Sequence, residues 1–111
     1  MKPESQKSFR VGVVGLGNMG KNHVRVLSML KPVVIEFVYD LDRARAETIA
    51  KQYGTRVSDD VDREMTLVDG LAIATPTSTH LDWVRRSAGV VPHLFLEKPL
   101  ADSTAGAEEI H

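Results

Sequence analysis

Val11-Gly-Val-Val-Gly-Leu-Gly-Asn-Met-Gly20 decides how the rest of the chain is read. A short β-branched run from Val11 to Val14 meets Gly15, Gly17 and Gly20, and a helical pattern follows. This is G-x-G-x-x-G set between a strand and a helix. Gly15 permits a tight turn off the strand. Gly17 lacks the Cβ that would hold a pyrophosphate away from the backbone, and Gly20 lets the helix pack closely on its strand. The helix start at Asn18 and Met19 offers free N–H groups and a partial positive charge to phosphate. An acidic residue about twenty positions further on completes a dinucleotide-binding pattern. That residue is Asp40, at the end of the second apolar run.

Outward from this stretch, strands alternate with helices. Phe9–Val14 is apolar at nearly every position, as in a strand buried on both faces. Val24, Leu27 and Leu30 repeat at helical spacing within 18–30, and Pro32 stops that helix. Val33–Tyr39 is the second strand. Asp42 caps a helix over 43–53 that Gly54 ends. A short third strand is expected at Thr55–Val57, and 58–66 is ambiguous. A fourth strand at 71–74, a helix over 77–87 ended by Gly89, a fifth strand at 93–96 and a helix from Ser103 complete the order. Such alternation implies a parallel sheet with right-handed crossovers, an α/β doubly wound fold of Rossmann type in three layers. Residues 1–8 read as a flexible tail and 9–111 as one dinucleotide-binding domain, incomplete at its C-terminus.

The 111 residues suit one domain with a real core. A net charge of −1 carries no electrostatic footprint for nucleic acid or an anionic membrane. Cysteine is absent, which excludes disulfide and thiolate chemistry and fits a reducing compartment. The polar first ten residues hold no secretory h-region, and no apolar run is long enough to span a bilayer. A cytoplasmic location is expected. No set of histidines and acids has metal spacing.

Asp40 suits hydrogen bonds from the adenosine ribose hydroxyls and repels a 2′-phosphate, which favours NAD over NADP. Arg43 and Arg45 oppose that reading if either reaches such a phosphate, and otherwise form a solvated helix face. Ala72-Ile-Ala-Thr-Pro-Thr-Ser-Thr-His80 leaves the fourth strand and enters a helix, so Thr75, Pro76 and Thr77 border the ligand crevice. Plainer readings stand beside these: Asp40 as a strand-end cap, Thr75 to Thr77 as cap and turn, His80 as a packing or capping residue. His23 reads as packed against the sheet. Glu97-Lys-Pro99 at a strand end carries no chemistry by itself.

Together, Gly15-Leu-Gly-Asn-Met-Gly20, Asp40, Ala74-Thr-Pro-Thr-Ser-Thr-His80 and Glu97-Lys-Pro99 resemble the Gfo/Idh/MocA family of nicotinamide-dependent oxidoreductases, over about residues 9 to 111. Gly20-Lys-Asn-His23 is similar to family members that act on nucleotide-activated amino sugars. The resemblance implies that Gly15, Gly17, Asn18, Met19 and Gly20 serve the pyrophosphate and Asp40 the ribose. It implies that Thr75, Pro76 and His80 lie along the cofactor cleft, with Glu97 and Lys98 by the nicotinamide. It makes Lys98 the catalytic residue, assisting proton movement, with a cis peptide at Lys98–Pro99. Family members carry a second α/β domain that supplies most of the sugar pocket. The chain therefore reads as the nucleotide-binding half of a sugar, inositol or nucleotide-sugar dehydrogenase. It is expected to bind NAD(H), to be inactive alone, to meet a sugar only when a second domain or chain is supplied, and to self-associate through an unpaired strand edge. The alternative is a stand-alone dinucleotide-binding sensor or accessory subunit.

Overall fold

A computed structural model of the chain describes residues 8–96, without the side chain of Thr77. The elements run β1 (Phe9–Val14), α1 (Asn18–Ser28), β2 (Val33–Tyr39), α2 (Arg43–Tyr53), α3 (Val61–Glu64), β3 (Gly70–Ile73), α4 (His80–Ser87) and β4 (His93–Leu96). Among the described residues the strands form one four-stranded sheet in the order β2-β1-β3-β4, every pairing parallel. The fold is α/β and Rossmann-like.

Alternate side chains leave the sheet on opposite faces, and each face has its own core. Val11, Val13, Val38 and Ala72 pack with Val24 of α1 and Ala46, Ile49 and Ala50 of α2. Val14, Phe37, Leu71 and Ile73 pack on the other face with Val61, Met65, Trp83 and Val91. Three layers result. One irregularity ties β1 to β2: the register shifts between Val11 and Gly12, which pair with Ile35 and Phe37. A Cβ at Gly12 would run into the Phe37 ring, so the small residue in the centre of β1 gives that ring its place.

The termini of α2 follow their sequence signals. Asp42 accepts from the Arg45 N–H at 3.1 Å, and Gly54 ends the helix at φ 72°. Two expectations need correction, and one ambiguous stretch is resolved. Thr55–Val57 is no strand: only Val57 bridges Val38, through the Val38 N–H to Arg56 and the Ser58 N–H to Val38, both 2.9 Å. Ser58 then turns inward to hydrogen-bond Glu64, which ends the extended run after one bridge. The ambiguous stretch holds α3, capped by Asp60, and a 3₁₀ turn at Met65–Leu67. The expected helix over 77–87 starts as a 3₁₀ turn at Thr77–Thr79, with α4 proper beginning at His80. The helix expected from Ser103 lies outside the described residues.

Candidate nucleotide-binding cleft

The carboxyl ends of β1, β2 and β3 converge on one cleft of about 680 Å³. Three exits line it: Gly15–Met19 after β1, Asp40–Leu41 after β2, and Ala74–Pro76 with Thr79 after β3. β2 and β3 flank β1 on opposite sides, so the crossovers part there and leave a crevice above β1.

Three glycines shape the first exit differently. Gly15 sits at φ 89°, and a Cβ on it would fall 2.5 Å from the Ala74 carbonyl carbon. The β1 exit thus turns directly against the β3 exit. Gly20 is buried, and a Cβ there would run into the Gly15 carbonyl oxygen. Gly20 therefore packs α1 against the loop and does not line the cleft. At Gly17 an added Cβ would meet nothing within 4 Å beyond its immediate chain neighbours. Packing asks for no glycine there, and the space belongs to the cleft. Gly17 is also the N-cap of α1, with no side-chain cap and no acidic residue in the first turn. The opening N–H groups of a helix have no intrahelical acceptors, and no acidic side chain of the first turn offsets its positive end. Gly17, Asn18 and Met19 all line the cleft. This cradle fits a pyrophosphate.

Asp40 stands across from it, with its side chain 12% exposed. Its Oδ2 accepts from the Leu16 N–H at 2.6 Å and its Oδ1 from the Asp42 N–H at 2.8 Å. Each carboxylate oxygen keeps a further lone pair. The residue latches the glycine loop and also presents an acceptor to the cleft. Arg45 lines the cleft with Nη1 3.8 Å from Asp40 Oδ2. Arg43 is directed elsewhere, to Asp59 and Glu47; the hydrogen bond to Asp59 is the main cause that raises its guanidinium above the ordinary value.

The third wall comes from α4 and its approach. Thr75 and Pro76 line the cleft. His80 lines it too but is 3% exposed, with Nε2 2.8 Å from the Thr75 carbonyl oxygen. The Thr79 hydroxyl lies 2.7 Å from the Thr75 hydroxyl. Both residues brace the loop from within. Sequence reasoning missed Tyr39, Leu41, Thr79, Asp82, Trp83 and Arg86 as lining residues. Positions 79, 82, 83 and 86 repeat at three and four residues, one face of a helix that starts at a strand end. That spacing was the available signal. His23 on α1 is half-buried and away from the cleft. Glu97, Lys98 and the Lys98–Pro99 bond lie outside the described residues. Among the described residues no group of three or more His, Cys, Asp or Glu side chains is placed to hold a metal ion, and no helix is long and apolar enough to cross a membrane.

A parallel sheet whose first strand ends in this loop, with an acid after the second, is a Rossmann-type nucleotide-binding fold. The chain matches the profile of the oxidoreductase family with an NAD-binding Rossmann fold over residues 9–111, and it belongs to that family, Gfo/Idh/MocA. It is 36% identical to an inositol 2-dehydrogenase of Rhizobium meliloti over 94 residues, which are 84% of this chain and 28% of the relative. It is 30% identical to glucose-6-phosphate 3-dehydrogenase of Bacillus subtilis, over 85% of this chain and 27% of the relative. Its fold is similar to that of GenD2 from gentamicin A biosynthesis in complex with NAD, with a TM-score of 0.83 and 30% identity, covering 94% of this chain and 30% of that one. The chain thus spans under a third of the length of these relatives.

Proposed function

We propose that residues 9–111 form the dinucleotide-binding domain of a nicotinamide-dependent dehydrogenase acting on a sugar, an inositol or a nucleotide-linked sugar, and that it prefers NAD(H) to NADP(H). The observation that carries the reading is the space at Gly17, open on the ligand side and set between an uncapped helix N-terminus and the Asp40 carboxylate. Gly15, Gly17 and the N–H groups of Asn18 and Met19 receive the pyrophosphate, with Gly20 letting them approach. Asp40 accepts from the adenosine ribose hydroxyls. Thr75 and Pro76 border the cofactor, and His80 holds them in place. The bound nicotinamide supplies the hydride acceptor or donor. The family resemblance assigns Glu97 to the nicotinamide ribose and gives Lys98 the proton at the sugar hydroxyl oxygen, a task for a lysine of tuned basicity.

The preference for NAD(H) follows from electrostatics. A carboxylate at the ribose binds two hydroxyls and repels a doubly charged phosphate at the 2′ position. Arg45 opposes this only in part, because it already faces Asp40. Calorimetric titration with NADH and NADPH tests the proposal. Tighter binding of NADH, by about tenfold or more, is expected from one good charged hydrogen bond of about 1.5–3 kcal/mol. Equal or stronger NADPH binding would sink the preference, and binding of neither would sink the reading.

Turnover asks for more than this cleft. Holding the substrate carbon against the nicotinamide contributes roughly 7–11 kcal/mol, and a positioned acid–base group about 10²–10⁴-fold. The described residues form the nucleotide side only, and the relatives are more than three times as long as the matched segment. We therefore expect the 111-residue chain to bind nucleotide without oxidising a sugar. NADH production by the purified chain, abolished by Lys98→Ala, would overturn this.

A further inference from the structure

The far end of the cleft, beyond Asp40, has a wall that the motifs do not account for. Trp83 is the only tryptophan in the chain and is 7% exposed, with its ring 6.0 Å from that of Tyr39. Tyr39 ends β2 and precedes Asp40 directly, so the Trp83 ring lies beside the β2 exit that carries this acid. The Arg86 guanidinium carbon stands 4.1 Å above the centre of the Trp83 ring. Arg86 is also tethered sideways: its Nε and Nη2 donate to Asp62 Oδ1 at 3.1 and 3.0 Å. Asp62 belongs to α3, a different element, and the side chain of Arg86 remains 36% exposed. Leu41, 92% exposed, lines the same cleft.

A long, flexible cation is thus held by two partners. Trp83 lies under the guanidinium and Asp62 takes one edge, and Arg86 lines the cleft. A stacked guanidinium is weakly hydrated, and it binds a π system face to face where a lysine ammonium only presents a point charge. A solvated surface arginine needs neither a tryptophan beneath it nor a tether from another helix.

We propose that Arg86 is a specificity-determining residue of the cleft: it is the platform on which the adenine base stacks, with Leu41 closing the opposite side, and it selects a purine nucleotide. The inference rests on the nucleotide-binding reading above. Asp62 acts as a positioning residue that keeps the platform flat. Trp83 reports occupancy, because a base stacked on Arg86 alters the surroundings of the indole directly beneath.

The test is titration of the protein with NADH, ADP-ribose, AMP and UMP, followed by calorimetry and by Trp83 emission, in the wild type and in Arg86→Ala, Arg86→Lys and Asp62→Asn. Loss of a stacked cation is expected to weaken NADH, ADP-ribose and AMP by the same factor, roughly tenfold, within the range of about 2- to 30-fold that cation–π energies imply. Arg86→Lys should lose nearly as much, since charge without the planar face is not enough, and Asp62→Asn should lose a few-fold. The wild type should prefer AMP to UMP, and Arg86→Ala should level the two. Thermal unfolding of each variant checks the fold; Arg86→Lys keeps charge and bulk and so decides the matter if Arg86→Ala unfolds. Wild-type affinity of Arg86→Lys for ADP-ribose, or an unchanged AMP-to-UMP ratio in it, overturns the role of Arg86 and leaves the nucleotide reading standing. Failure of the wild type to bind NADH or ADP-ribose overturns both.

Discussion

A methyl group added at Gly17 meets nothing within 4 Å beyond its immediate chain neighbours, whereas one at Gly15 falls 2.5 Å from the Ala74 carbonyl carbon. The two substitutions therefore separate binding from folding. Gly17→Ala should leave stability within about 1 kcal/mol, because alanine is a poorer N-cap than glycine but loses less entropy on folding. It should weaken NADH at least tenfold by intruding on the pyrophosphate. Gly15→Ala should cost about 1–3 kcal/mol from its positive φ alone, before the clash is counted. Urea unfolding alongside NADH titration distinguishes the pair; a destabilised Gly17→Ala would show that the open space has a packing role. Asp40 cannot be separated so cleanly, since its carboxylate accepts from the Leu16 and Asp42 N–H groups as well as facing the cleft. Asp40→Ala should narrow the gap between NADH and NADPH and also lower stability, by about 1.5–3 kcal/mol per charged hydrogen bond lost. A variant that changes nucleotide preference with no loss of stability would contradict the latch.

At the scale of elements, α2 and α4 carry opposite lessons. The Asp42 cap and Gly54 stop confine α2 to 43–53, and both signals are local. Asp42→Ala should cost about 1 kcal/mol in denaturant unfolding, a cap's usual worth, and should leave nucleotide affinity nearly unchanged because Asp42 does not line the cleft. The start of α4 has no side-chain cap; it is held through the His80 ring and the Thr75 carbonyl oxygen. That bond spans five residues and depends on the 3₁₀ turn at Thr77–Thr79 bringing the imidazole back under the loop. Caps announce themselves in sequence because their partner lies three residues away. A buried histidine reaching back to a carbonyl does not.

For the molecule as a whole, the cleft draws on loops after three strands, so a ligand there adds to the contacts that already join them. Binding to the folded state alone stabilises by about 2.7 kcal/mol at a ligand concentration of one hundred times Kd. NADH at saturating concentration should therefore raise the unfolding midpoint, and NADPH at the same concentration should raise it less; scanning calorimetry reads both. A second expectation concerns association. Among the described residues β4 lies at the edge of the sheet, and Phe95 on it is 49% exposed. Exposed edges with apolar side chains recruit other chains, so the 111-residue chain should self-associate. A stable monomer by light scattering at high concentration would count against it.

Local spacing determined the parts of this protein whose causes are local. The β-branched run into Gly15, Gly17 and Gly20, the cap at Asp42 and the strand–helix alternation needed nothing distant to be read, and the alternation carried the sheet and its layers with it. Tertiary structure decided what depends on pairs far apart in sequence. Thr55–Val57 has strand character but finds a partner only at Val38, and the inward turn at Ser58 ends it. The reason for a glycine at position 12 in β1 is the Phe37 ring, which occupies the space a side chain would take. Gly20 reads as a packing glycine, and the fold names what it packs against, the Gly15 carbonyl. Arg86 has its tether on another element, at a distance the sequence does not announce. Only the folding of α3 beside α4 brings Asp62 to its edge, and only the approach of Trp83 to Tyr39 puts the pair at the cofactor cleft. A side chain's own type sets what it can bind; where it is held is set by neighbours that sequence order does not name.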